Sequence, residues 1–290
     1  MKKVAFLGCE NSHANRFLKF IQEDEKYKDV EVLGVYSDDL EACEKLKDTF
    51  GVKIMKSYDE AVSEADGIVV TARHGDNHLK YALPYFKKGM AMFIDKPVTI
   101  KEEDALELVR LAKETGTKLT GGSCIRFDEP LLALKKDAEE QKDGETWGGL
   151  VRAPLSKDER YGGFFFYSQH LVESMCTVFG KYPKSVKAFE NGNVTTVIFR
   201  YENYDVTGIF AVGTGSYYAY RSTKKGIDGG KIFDNSEPCF KAEWDEFYDI
   251  LSGGEQVADF KEFISPVFIL NAVNNSIISG NEESVKTYEV

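Results

Sequence analysis

Residues 91–100 read Ala-Met-Phe-Ile-Asp-Lys-Pro-Val-Thr-Ile, and this short stretch decides how the chain is organised. An apolar run of strand propensity climbs to an acid, a lysine and a proline, and a helical pattern begins at Lys101. Proline removes a backbone donor and biases Lys96 towards extended backbone, so the chain must leave a sheet here with its charged pair at the mouth. Ligands of open α/β sheets bind at such strand ends.

Working outward, strands and helices alternate from the first residue to about Gly122. Lys3–Leu7 reads as a strand before Gly8, and Asn11 or Ser12 caps a helix running to about Glu25. A second strand (30–36), a helix (40–50) and a third short strand in GVKIM (51–55) follow. Then come a brief helix (58–63), a strand (67–71), a helix (77–88), the strand at 91–94, a helix (102–115) and a last strand (118–120). Alternation of this kind predicts a Rossmann-like, doubly wound parallel sheet, class α/β. Beyond it, strands at 147–153 and across 185–222 with turns at 191–193 and 203–205 predict an α+β region on a large, mostly antiparallel sheet. Domains are therefore expected at 1–122 and 123–290, the second for substrate and oligomerisation, with the C-terminal helix able to pack back towards the first.

Composition narrows the function. The chain has 290 residues, 37 basic against 48 acidic, and a formal charge of -11, which argues against nucleic acid and anionic membrane as partners. Five cysteines, an odd number without close spacing, read as reduced thiols in a cytoplasmic protein and not as a zinc site. The first strand is too short to be a signal sequence or a membrane span.

The candidate ligand residues lie at predicted strand ends. Dinucleotide folds place three glycines in the first turn; here only Gly8 is present, with Glu10 and His13 at the other two positions. A carboxylate at Glu10 repels a pyrophosphate unless its side chain turns outward. Gly8, Asn11, Ser12 and His13 remain the candidate phosphate contacts, Ser12 and His13 as donors at a helix start. Ser37 and Asp38 end the second strand; an acid there accepts ribose hydroxyls and favours NAD over NADP, unless Asp38 or Asp39 merely caps the next helix. Thr71, Ala72, Arg73 and His78 form a second rim, with no donor set for a metal. His170, on an apolar helical run beginning at Ser168, is either a packed histidine or an acid–base group.

Several segments together resemble the glucose-fructose oxidoreductase, inositol dehydrogenase and MocA family. Asp95, Lys96 and Pro97 match its Glu-Lys-Pro motif with aspartate for glutamate, and Thr71, Ala72, Arg73 and His78 match its Thr-Pro-Asn…His segment. RFDEP (126–130), TWGGLV (146–151), FGKYPKSVKA (179–188) and ISPVFILNAVNNSIISG (264–280) follow in the family's order. The resemblance implies an NAD- or NADP-dependent oxidoreductase for a sugar, cyclitol or related polyol, pairing as a homo-oligomer through the C-terminal sheet. It makes Lys96 a cofactor and substrate contact and His170 the acid or base. The family's aspartate four residues before that histidine is Phe166 here; Tyr167 could supply a hydroxyl instead, and Glu173 could orient the imidazole. These departures leave a second expectation: a non-catalytic ligand-binding or regulatory protein on the same fold.

Overall fold

In a computed structural model that describes residues 1–290, the chain divides into two compact units. One comprises Met1–Gly122 with Phe240–Phe263 and Val290; the other comprises Ser123–Cys239 with Ile264–Glu289.

The first unit is built on a parallel sheet of β1 (Lys2–Leu7), β2 (Val30–Tyr36), β3 (Gly67–Val70), β4 (Ala91–Asp95) and β5 (Lys118–Gly122), in the order β2-β1-β3-β4-β5. Its helices are α1 (Ser12–Glu23), α2 (Leu40–Phe50), α3 (Asp76–Ala82) and α4 (Glu102–Thr115). Each begins or ends where side-chain chemistry directs. Asn11 accepts from the Ser12 N–H and Asp39 from the Ala42 N–H, while Gly51 and Gly116 end α2 and α4 in the left-handed region that glycine tolerates. Glu102, Glu103 and Asp104 open α4, where carboxylates complement the helix dipole.

Three expectations need correction here. GVKIM forms one parallel bridge, Val35 to Ile54, with Val35 N–H donating to Lys53 O and Met55 N–H to Val35 O. Five residues released by Gly51 are too few for a full ladder, but with this bridge in place the order becomes that of a six-stranded dinucleotide fold. Residues 58–63 form successive three-residue turns, such as Val62 N–H to Asp59 O, and no helix. The helix expected over 77–88 stops at Ala82 because Pro84 lies in the tight turn Leu83–Tyr85 and has no N–H to donate.

The second unit contains α5 (Glu129–Glu139), β6 (Gly148–Leu155), α6 (Phe165–Phe179), β7 (Ser185–Asn191), β8 (Val194–Arg200), β9 (Asp205–Val212), β10 (Tyr217–Thr223) and β11 (Gly226–Ile232). Its seven-stranded sheet runs β11-β10-β6-β9-β8-β7-β12, where β12 is Glu282–Ser284. All neighbours are antiparallel except β6 and β9. Val151, Val197, Val206, Phe210 and Ala219 point to the buried face, against Leu171 and Met175 of α6 and Ile269 and Val273 of the long helix α8 (Phe260–Ser279). Their alternating partners Leu150, Ile198, Ile209, Tyr218 and Tyr220 are half-buried on the other face. Period-two alternation therefore puts one apolar face inside and leaves another outside.

The helix α7 (Glu237–Leu251) departs from the expected partition at 123–290. From Phe240 onward it belongs to the first unit, and the C-terminal helix α8 belongs mainly to the second. The reason is apolar matching. Trp244 is fully buried against Phe6 and Phe17, with ring centroids 6.4 and 5.1 Å away, and Phe247 meets Phe93 at 6.3 Å. Gly67 lies so close to Leu251 and Phe247 that a Cβ would stand 2.8 Å from Leu251. Thus α7 covers the parallel sheet.

Candidate functional site

The rim of the first unit assembles at the carboxyl ends of β1, β2, β3 and β4. Gly8 adopts φ +67°, and a Cβ there would lie 2.5 Å from that of Ala72, so only glycine lets the β1–α1 turn pass over the end of β3. Thr71 fastens the same crossing: its hydroxyl donates to Gly8 O at 3.1 Å and its N–H to Leu7 O at 2.8 Å.

Glu10 turns inward. Its carboxylate accepts from the Ser37 hydroxyl at 2.5 Å and from the Arg73 backbone N–H at 3.0 Å, bridging the ends of β2 and β3. It therefore takes up two donors at the mouth where a dinucleotide's phosphates would seek them, and Ser37 is committed to Glu10. Asp39, not Asp38, caps α2. Asp38 is left exposed, accepting from the hydroxyls of Tyr36 at 2.7 Å and Tyr81 at 2.9 Å. The Tyr36 hydrogen bond, first among these partners, holds its carboxyl below the usual range.

His13 and His78, read from sequence as cofactor contacts, are both turned into the protein. His13 is 3% exposed, with Nδ1 3.1 Å from Asp95 Oδ2 and Nε2 3.4 Å from Glu243 Oε2, amid Phe17, Phe93 and Phe240. Burial pushes its pKa down to about 4, with the Asp95 charge opposing. A ring so enclosed cannot act as a phosphate donor. His78 is fully buried, with Nε2 2.8 Å from Ala72 O and Nδ1 3.2 Å from Val98 O; it ties the two rim loops together from behind. Burial lowers its pKa as well.

Asp95 is the hub of the motif. Its Oδ1 accepts the Lys96 N–H at 2.7 Å, and its Oδ2 accepts the Asn11 amide at 2.7 Å. Burial raises its pKa, opposed by His13 and then Lys96. Asn11 thus caps α1 and ties it to β4, so the helix start is set by an amide where related turns use glycines. Lys96 is buried beside this carboxyl and precedes Pro97 through a cis peptide. Ser12 is exposed at the first residue of α1.

The second unit carries a separate pocket. A cavity of about 420 Å³ is lined by Tyr167, Tyr217 and Phe233 together with Ser156, Thr214 and Ser236. His170 packs behind it, its ring centroid 5.4 Å from Tyr167, 6.0 Å from Tyr217 and 6.3 Å from Phe233. Its Nδ1 lies 2.6 Å from the Ser123 hydroxyl. With Nδ1 engaged, proton exchange falls to Nε2. Ser123, which sequence reasoning missed, is therefore the residue that orients the imidazole. Its only prior signal was a hydroxyl after Gly121 and Gly122, at the start of the turn it caps through Ile125 N–H.

Glu173 sits one step further out. It accepts from the Ser123 N–H and lies 3.4 Å from the Gln169 amide, so it supports the serine that supports the histidine. Burial raises its pKa against the pull of Arg126 and Lys181. Phe166 is buried, packed on Tyr161 and Tyr167 with centroids 5.1 and 5.0 Å away, in keeping with an apolar site wall.

A parallel sheet with a glycine turn at its first strand end defines the first unit as a dinucleotide-type Rossmann domain. Residues 2–123 match the oxidoreductase family with an NAD-binding Rossmann fold, Gfo/Idh/MocA. It is 36% identical over 135 residues to the uncharacterized oxidoreductase YhhX of Escherichia coli (strain K12), a match covering 42% of this chain and 38% of that protein. It is 24% identical over 156 residues to inositol 2-dehydrogenase of Rhizobium meliloti (strain 1021), covering 51% of this chain and 47% of the relative. The chain therefore spans less than half the length of these curated relatives. The fold extends further: scyllo-inositol dehydrogenase from Lactobacillus casei, solved with NAD(H) and scyllo-inositol, superposes with a TM-score of 0.83 over 99% of this chain and 100% of that one, at 14% identity.

Proposed function

We propose that the chain is an NAD(P)-dependent oxidoreductase moving a hydride between a nicotinamide cofactor and an uncharged sugar- or cyclitol-type polyol. The observation that carries this is His170, oriented by Ser123 beside a cavity whose walls offer aromatic faces and hydroxyls and no acidic or basic side chain. Rings cover the C–H faces of a polyol and hydroxyls exchange hydrogen bonds with its own. In the oxidising direction the carbinol C–H electrons leave as hydride and the hydroxyl proton goes to His170 Nε2. Nicotinamide supplies the hydride acceptor when bound. Lys96, at the end of β4 in the first unit, is the proposed cofactor contact, with its backbone fixed by Asp95.

Two features fit the cofactor: the Gly8 turn, and an exposed Asp38 whose charge favours a ribose diol over a 2'-phosphate. NAD is accordingly the proposed cofactor. All five cysteines are free thiols, which supports a reducing, cytoplasmic setting, and no helix is long and apolar enough to cross a membrane. The half-buried apolar face of the large sheet supports pairing of two copies there.

A second reading rests on Glu10. Its carboxylate already engages donors from Ser37 and Arg73, as a phosphate would, so the first unit could be closed to cofactor and the protein a polyol-binding one. Separate titrations with NADH and NADPH, followed by cofactor fluorescence and repeated on Lys96→Ala, decide between them. Saturable NADH binding at least tenfold tighter than NADPH, with polyol turnover lost in the variant, is expected. Folded protein that binds neither cofactor moves the second reading ahead.

A further inference from the structure

Cys9 and Cys43 stand outside every role so far assigned. Cys9 lies in the β1–α1 turn between Gly8 and Glu10, and Cys43 in the first turns of α2. Their sulfurs are 3.5 Å apart, and both residues are buried, at 3% and 1% exposure. The pair lies directly beside the Glu10–Ser37 hydrogen bond: Cys9 is the chain neighbour of Glu10, and Cys43 Sγ is 4.0 Å from Ser37 O. Two thiols thus span the same gap that the carboxylate and hydroxyl span.

We infer that Cys9 and Cys43 form a reversible disulfide, which locks the β1–α1 turn onto α2 and holds Glu10 shut against Ser37. The sulfurs, already in contact at 3.5 Å, need to close to about 2.05 Å to bond. A hydroperoxide small enough to enter supplies the oxidant. The Cys43 thiol, held below the usual thiol range by its contact with Cys9, gives up its proton, which leaves with the departing water, and its sulfur attacks the peroxide oxygen. The O–O bond breaks, water leaves, and Cys43 becomes a sulfenic acid. Cys9 sulfur then attacks Cys43 sulfur, the S–O bond breaks, and a second water carries off the oxygen. Two electrons pass from the thiols to the peroxide, and an external dithiol reverses the change.

The disulfide stands on this geometry alone; its effect on cofactor rests on the proposed function. Full-length protein is treated with a few equivalents of hydrogen peroxide and followed by intact mass, peptide mapping and amide hydrogen exchange. A loss of about 2 Da, a Cys9–Cys43 linked peptide, and exchange slowed at least tenfold over residues 8–12 are expected. Dithiothreitol should reverse all three, and Cys43→Ser and Cys9→Ser should abolish them. Linkage through Cys124, Cys176 or Cys239, over-oxidation without linkage, or unchanged exchange would overturn the inference. Oxidised protein should also bind NADH about tenfold more weakly. Reduced protein that binds no NADH counts against the proposed function, while mass and exchange still decide the disulfide.

Discussion

The two candidate ligand regions differ in the charge of their walls. At the rim of the first unit nearly every polar side chain is already engaged with the protein: Glu10 with Ser37 and Arg73, Asn11 with Asp95, Asp38 with two tyrosines, His78 with two carbonyls. In the pocket of the second unit the wall is uncharged: Ser156 and Thr214 accept from the backbone N–H groups of Asp158 and Ser216, Thr214 also from Arg152, and aromatic rings stand beside them. A rim that already holds a carboxylate on its donors must give up those bonds to admit an anionic ligand, whereas a neutral wall of rings and hydroxyls admits a neutral one without displacing a charge. On the proposed function, cofactor affinity is thus the quantity the first unit restrains, and chemistry the quantity the second prepares.

The largest effect expected from this contrast is on turnover. His170→Asn should lower kcat by about 10³ while NADH affinity stays within twofold, because general-base groups contribute roughly 10²–10⁴. Ser123→Ala should lower kcat less and distort its pH profile, since the imidazole then loses its orienting partner. Equal loss of cofactor affinity in either variant would erase the distinction between the regions.

Next comes His13, buried with Asp95, Glu243, Lys96 and Arg16 around it. Its folded pKa of about 4 lies below the unfolded value of 6.5, so the unfolded chain binds the proton more readily and stability falls as pH drops between those values. The loss attributable to it is on the order of 3 kcal/mol. Asp95, with its pKa raised, acts in the opposite sense. Urea melts of wild type and His13→Gln at pH 7 and pH 4.5 check the sign: the wild type should lose more on acidification. A variant that loses as much would remove His13 from the account.

Smaller still is the expected effect of opening the rim. Glu10→Gly frees Ser37 and Arg73 N–H for phosphate and should tighten NADH binding about tenfold, or ~1.4 kcal/mol. Weaker binding would mean that Glu10 organises the turn instead of obstructing it. Asp38→Asn should narrow the NADH over NADPH preference several-fold in a paired titration.

How far the sequence foretold these regions depends on the range of the interactions. The parallel sheet was legible because β1, β4 and α4 announce themselves through local runs and caps, and the strand end at Asp95 and Lys96 carried both fold and motif. GVKIM shrank to one bridge because a strand's length depends on its neighbour, which no local pattern records. His13 and His78 were misread as ligand contacts because a polar residue at a helix start looks the same whether it faces solvent or two distant carboxylates. Glu243 lies 230 positions from His13, so nothing near either residue signals the other. Ser123 was missed for the same reason: its importance comes from a ring 47 positions away.

That α7 completes the first unit bears on how the protein is made. The chain lays down all five strands of the parallel sheet by Gly122, yet Trp244 and Phe247, which cover Phe6, Phe17 and Phe93, are encoded more than a hundred residues later. At about 5–20 residues per second, a nascent chain waits roughly 6–25 s with that aromatic face bare. During this interval the growing protein is a natural client for a chaperone, and ribosome-bound chains halted before residue 240 should be captured far more readily than those that have passed residue 260.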